Sequence, residues 1–169
     1  MTKLDIESKN LKGLKNVCLA PFLPTPKSVI KEALKFGEIS YCDVFFDLGC
    51  GDGRTLVLAA QEYGIKCVGI EADKGRYLRS LENVKINEVD HLVEVRNENI
   101  YETDLSEATI AYMYLTDSSN VILRPYLTTN LRKGSKIISH NYSMGAWLPT
   151  RQKIITHLCE QHKIFVYQL

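Results

Sequence analysis

The chain has 169 residues, 45% hydrophobic and 24% charged, with 21 Lys and Arg against 20 Asp and Glu for a net charge of +1. That length builds one domain with a sizeable core. The charge balance argues against a global basic field that would draw the chain to nucleic acid or to a membrane surface, and no apolar run approaches the roughly 20 residues of a membrane-spanning helix.

Residues 1–20 read as an N-terminal arm or weak helix, and 21–169 as a single domain. In Pro21-Phe22-Leu23-Pro24-Thr25-Pro26, Thr25 is expected to cap a helix and Pro26 to occupy its first turn. Val29, Ile30, Ala33 and Leu34 give that helix an inward face, and Gly37 is its expected stop. Val44–Leu48 is a short apolar strand, followed by a glycine turn and a helix over 55–63 that Gly64 ends. Lys66–Ile70 is the next strand. Asp73 caps a helix to about Asn87, with Tyr77, Leu78, Leu81 and Val84 facing inward. Strands follow at 92–95, 109–115 and 136–139, with a helix from Asp117 or Ser118 that breaks at Pro125 and resumes to Lys133. KIITHLC (153–159) and KIFVYQL (163–169) are β-rich and joined by Glu160-Gln161-His162, too short a link for a crossover helix. The alternation predicts an α/β fold: a parallel sheet with helices on both faces, closed by a C-terminal antiparallel β-hairpin.

Five cysteines, Cys18, Cys42, Cys50, Cys67 and Cys159, form no C-x-x-C pair. Their odd number and wide spacing argue against a disulfide framework or zinc site, and point to a reduced, cytoplasmic setting. His91, His140, His157 and His162 lack metal-ligand spacing as well, so no metal is expected.

The stretch with chemistry is FDLGCGDGR, 46–54. A dinucleotide fingerprint would need Gly or Ala where Arg54 stands, and a phosphate loop would need Gly-Lys-Ser/Thr. What remains is an acid, Asp47, followed by Gly49, Gly51 and Gly53 between strand and helix. Glu71 ends the next strand 20 residues after Gly51. A carboxylate there suits a ribose diol, because it accepts from both hydroxyls. A strand-end carboxylate is also expected to matter little to stability.

Asp47 with its glycines resembles motif I of class I S-adenosylmethionine (SAM) methyltransferases. The order PFLPTP, FDLGCGDGR, VGIE, NIYETDLSEATIAYMYL, KGSKIISHNYSMGAWLP further resembles the archaeal protein-lysine methyltransferases and, more distantly, the mitochondrial ATP-synthase c-subunit lysine methyltransferases. The resemblance implies a Rossmann-like class I methyltransferase fold, SAM as cofactor and S-adenosylhomocysteine as product. It places Asp47, Gly49, Cys50, Gly51, Asp52 and Gly53 around the amino-acid end of SAM. Glu71 and Ala72 go to the ribose, and Asn99, Ile100 and Tyr101 to the adenine. Pro24 and Thr25 close over the methionine end, and Tyr114, Leu115 and Thr116 flank the reacting methyl group. Asn99 stands where many class I enzymes carry Asp, and the leader before Cys18 is longer than the group's.

Methyl transfer from a sulfonium is an in-line displacement, so alignment is the protein's main work. A lysine acceptor must first lose its proton, which a water-poor channel beside a positive sulfonium favours. The expectation is an aromatic, carbonyl-lined channel, with Tyr114, His140, Tyr142 and Trp147 as its lining and no dedicated base. Expected partners are proteins presenting accessible lysines, with the enzyme a monomer away from membranes. Near-neutral charge and the absence of an Asn/Asp-Pro-Pro-Tyr sequence after 113 disfavour nucleic acid. The alternatives are an RNA or small-molecule methyltransferase, and a non-catalytic SAM-binding domain.

Overall fold

The computed structural model describes residues 20–169, so the expected N-terminal arm falls almost wholly outside the described residues. Four helices are present among them, α1 (Lys27–Phe36), α2 (Arg54–Tyr63), α3 (Lys74–Ile86) and α4 (Asp117–Asn130). The strands are β1 (Val44–Leu48), β2 (Lys66–Ile70), β3 (Val93–Arg96), β4 (Ile110–Met113), β5 (Lys136–His140), β6 (Arg151–His157) and β7 (Glu160–Gln168). They form one sheet in the order β3-β2-β1-β4-β5-β7-β6. The first five are parallel, and β7 runs antiparallel to both β5 and β6. The expected α/β architecture with its terminal hairpin is the one observed.

β1 is central, paired with β2 on one side and β4 on the other. Side chains alternate across a strand, so Phe45 joins the core under α1, α2 and part of α3, while Phe46 and Leu48 join the core under α4. Each face of the sheet therefore has its own apolar cluster. The loops at the C-terminal ends of β1, β2 and β4 are left to form a crevice.

Several local expectations change. Thr25 does not cap α1. Pro26 holds the cap position and no side chain bonds the free N–H groups there, because the Thr25 hydroxyl turns instead toward His140. Gly37 ends α1 without the left-handed conformation: its φ is −67°, and Glu38 takes the positive φ of 53°. The glycine is needed for space, since a Cβ there would lie 2.3 Å from Ile138 Cδ1. On α3 the inward face is Tyr77, Ser80 and Val84, at helical i, i+3, i+7 spacing, while Leu78 and Leu81 are exposed. α4 is capped by Thr116, whose hydroxyl accepts from Ser119 N, and it runs unbroken through Pro125 to Asn130. The Pro125 carbonyl accepts from the hydroxyls of Thr128 and Thr129.

The hairpin turn is also displaced. It is the pair Leu158-Cys159, with φ of 45° and 68°, and Glu160-Gln161-His162 lies inside β7. Two residues with positive φ match the twist of the flanking strands. The shift carries His162 from the expected loop into a strand, facing the sheet interior.

Gly37→Ala tests the close packing of α1 on β5. The flexible end of Ile138 must move, so we expect a loss of about 1–3 kcal/mol, read as a lowered denaturant midpoint with unchanged slope.

Candidate functional site

The site grows from the turn after β1. Gly49 N and Cys50 N both donate to the Ile70 carbonyl (2.8 and 3.0 Å), which fastens the turn to the end of β2. Gly51 and Gly53 have φ of 60° and 76°, a region that side chains rarely adopt. A Cβ on Gly53 would also lie 2.3 Å from Ser80 Oγ of α3, and one on Gly51 would strike the Phe22 ring at 2.6 Å. The turn is thus closed from below by a helix and covered from above by the segment before α1.

Glu71 completes it. One carboxylate oxygen accepts from Gly51 N (2.9 Å), and the other accepts from Asp73 N (2.9 Å) and Arg76 Nε (3.2 Å). Asn97 supports the same segment by donating to the carbonyls of Glu71 and Ala72. On the other side, Arg54 grips Asp52 and donates to the Thr25 carbonyl (3.2 Å), tying the pre-α1 segment to the turn. Asn99 caps a short 3-10 turn, Ile100–Glu102, accepting from Tyr101 N (3.0 Å).

These elements enclose a cavity of about 430 Å³, within the size range of small-molecule sites. Of the residues singled out in the sequence, it brings together Pro24, Thr25, Asp47, Gly49, Cys50, Gly51, Asp52, Glu71, Ala72, Asn99, Ile100, Tyr114 and Leu115. Gly53 lies just below, against Ser80, and Tyr101 packs edge-on to Tyr126 beside it. His140 is fully buried behind the wall, with its ring 4.1 Å from that of Tyr114. Tyr142 stacks on the outer side of Tyr114 at 6.2 Å, and Trp147 lies farther off against Tyr167 at 5.0 Å. These last three are not among the cavity's lining residues.

The sequence reading missed Phe22, Arg54, Arg76 and Tyr112, all of which line the cavity. Tyr112 had a usable signal: it stands two residues before Tyr114, and residues i and i+2 of a strand share a face. His162 was missed through the misplaced turn. Its Nδ1 lies 3.0 Å from His140 Nε2.

The electrostatics favour a cationic guest. Burial, with Glu71 nearby, pushes the Asp47 carboxyl up from 3.8 to about 8, against a hydrogen bond with Thr55. Burial would raise Asp52 too, but Arg54 outweighs it and holds that acid below its ordinary value. Burial pushes Tyr112 well above the ordinary phenol range. Burial and His162 together push His140 down to about 3. A buried acid crowded by like charge is relieved by a nearby cation. SAM carries two, an ammonium and a sulfonium, and the glycine turn leaves room for its backbone approach. The residues present fit that cofactor.

This charge pattern makes stability depend on pH. Asp47 is protonated in the fold up to about pH 8 and ionised in the unfolded chain above about pH 4. Its stabilising proton is fully present below pH 4 and lost as pH rises to 8. Stability should fall across that window by up to about 1.4 kcal/mol per pH unit relative to Asp47→Asn, measured by ligand-free denaturation of both proteins at each pH. Glu71→Ala should lower stability by about 1–3 kcal/mol in addition to weakening SAM binding, since it leaves buried N–H donors unpaired. That reverses the expectation from sequence. Calorimetric titration and denaturant unfolding on the same sample separate the two effects.

Comparison with known proteins agrees with this geometry. Residues 47–151 match the model of the ANTKMT methyltransferase domain. A protein-lysine N-methyltransferase of Saccharolobus islandicus is 32% identical over 148 residues, covering 87% of this chain and 92% of that protein. The ATP-synthase c-subunit lysine N-methyltransferase of Xenopus laevis is 24% identical over 137 residues, 81% of this chain and 59% of that one. The crystal structure of an RNA methyltransferase from Salinibacter ruber, in complex with S-adenosylhomocysteine, superposes with a TM-score of 0.80 at 36% identity over 86% of this chain and 93% of that one. The glycine turn, the acids of β1 and β2 and these matches together identify the chain as a SAM-dependent methyltransferase of the ANTKMT methyltransferase domain family.

Proposed function

We propose that this methyltransferase acts on lysine ε-amines of proteins. The observation that carries the reading is the cavity wall at β4, where Tyr112, Tyr114 and Leu115 line the space in front of a histidine held neutral by burial. The side chains of this wall carry no charge of their own and leave little room for water, while the acids that favour a cation stand at the ends of β1 and β2. The uncharged wall and the lack of water both favour the free amine, which lysine, with an ordinary pKa of about 10.4, seldom provides in water. The apolar stem of lysine suits an aromatic channel. The Saccharolobus islandicus and Xenopus laevis relatives, both named for lysine methylation, support the same acceptor.

In this reading Asp47, Gly49, Cys50, Gly51, Asp52 and Gly53 hold the amino-acid end of SAM, Glu71 and Ala72 the ribose, and Asn99, Ile100 and Tyr101 the adenine. SAM supplies a methyl carbon already activated by positive sulfur. Pro24 and Thr25 close over it, held by the Arg54 contact to the Thr25 carbonyl. Tyr114 and Tyr142 guide the acceptor, and His140 acts from behind them. Trp147 is better placed to brace the rim through Tyr167, whose hydroxyl accepts from Met144 N (3.0 Å). Residues 21–169 work as one catalytic domain, monomeric and cytoplasmic. No helix among the described residues is long and apolar enough to cross a membrane.

RNA is the second reading, favoured by the Salinibacter ruber likeness. The net charge of +1 supports protein instead. Incubation with labelled SAM and separate protein and RNA fractions of the host decides. Acid hydrolysis of the protein should return label as mono-, di- or trimethyl-lysine, with a rate that rises on the alkaline side of neutral. Label confined to RNA, or to methylarginine or a methyl ester, refutes the lysine reading.

A further inference from the structure

Along the β4 wall runs a buried polar chain, in which Thr25 alone is a residue that closes over SAM. Tyr112 is 2% exposed, lines the cavity and sits beside Asp47 in the β1–β4 register. Its hydroxyl oxygen is 3.4 Å from His140 Nδ1, and Thr25 Oγ1 is 3.4 Å from the same nitrogen. His140 Nε2 is 3.0 Å from His162 Nδ1. His162 Nε2 is buried with no partner among the described residues. Three strands, β4, β5 and β7, contribute one member each.

We propose that the Tyr112 hydroxyl is the group that receives an N–H of the acceptor amine, and that His140 and His162 are positioning residues that hold it in that role. The proposal rests on the lysine reading above and adds the residue that orients the nucleophile. In the assigned arrangement Tyr112 donates its O–H to His140 Nδ1, and His140 donates Nε2–H to His162 Nδ1. The oxygen's lone pairs then face the cavity. An amine that donates to them keeps its own lone pair free for the methyl carbon, which is the alignment an in-line displacement needs. No proton changes owner in this step. The opposite tautomers would turn the Tyr112 O–H toward the cavity, where it would occupy the amine's lone pair and slow the reaction.

Burial also opposes charging of each titratable member of the chain. Burial keeps Tyr112 far above neutral, with Asp47 and Tyr114 facing it. Burial and His162 hold His140 at about 3, and burial lowers His162 despite the carboxylate of Glu160, with His157 adding to the lowering. Tyr112 therefore acts as an acceptor and not as a base, which separates this role from general-base catalysis by its pH behaviour.

The test uses the full chain and the protein acceptor identified by labelling. Tyr112→Phe keeps the ring and removes the hydroxyl. We expect unchanged SAM affinity by calorimetry and a kcat about three- to tenfold lower, by the same factor at pH 6, 7.5 and 9. His162→Phe touches nothing in the cavity and should lower kcat about two- to fivefold. The double variant should be no slower than Tyr112→Phe alone, because His162 acts only through that hydroxyl. An unchanged or raised kcat in Tyr112→Phe overturns the proposal. So do factors that multiply in the double variant, or a loss that grows toward one end of the pH range. The amino acid labelled by the parent enzyme answers the lysine reading separately, so either idea can fail without the other.

Discussion

One carboxylate holds the site together. Glu71 accepts from Gly51 in the turn after β1, from Asp73 at the start of α3 and from the Arg76 side chain. Without it the glycine turn and the end of β2 would share only the bonds from Gly49 and Cys50 to the Ile70 carbonyl. Three donors on two oxygens leave room for about one more, since a carboxylate offers about four acceptor sites. The same group can therefore shape the turn and still accept from one further donor in the cavity. This dual demand explains why an acid is so well suited to the end of β2: a neutral amide would satisfy the turn less fully and the ligand less strongly.

The second constraint is charge. Asp47, Asp52, Glu71 and Asp73 line one cavity, against Arg54 and Arg76. The two arginines are engaged at the edges, Arg54 with Asp52 and Arg76 with Glu71. Asp47 lies deepest, 3% exposed, and carries the raised pKa. The fold tolerates it by keeping it protonated. A cationic cofactor removes the need for that proton, so the feature that strains the ligand-free fold favours the loaded one. An acid placed here for stability alone would be hard to explain.

The sequence made the topology legible because each cue was local. Alternating apolar strands and capped helices gave the parallel sheet, and the short link between the last two β-rich runs gave the hairpin. Asp47, the glycines and Glu71 were legible for the same reason, since a turn that binds a ligand through its backbone restricts the residues it can use. What escaped depended on distant contacts. Thr25 looked like a helix cap until a histidine 115 residues away drew its hydroxyl aside. Gly37 looked like a helix stop and is one, yet Ile138 is what requires a glycine there. His162 was hidden by the turn position, because Leu158 and Cys159 carry none of the Gly or Asn that usually marks a two-residue loop of positive φ.

That misplaced turn has a functional consequence. With the turn at Leu158-Cys159, β7 gains Glu160-Gln161-His162, and strand alternation sends His162 inward and Gln161 outward, while Glu160, on the face of His162, is exposed at the strand's end. His140 then meets a neighbouring imidazole where burial alone would have left its Nε2 unpaired. A buried nitrogen without a partner costs about 1–3 kcal/mol, so the register of the last hairpin fixes how His140 is held. His140 in turn meets the hydroxyls of Thr25 and Tyr112, two residues that line the cavity. The antiparallel hairpin is thus more than an edge that finishes the sheet. It reaches, through the rings of His162 and His140, the Tyr112 and Thr25 hydroxyls at the cavity wall.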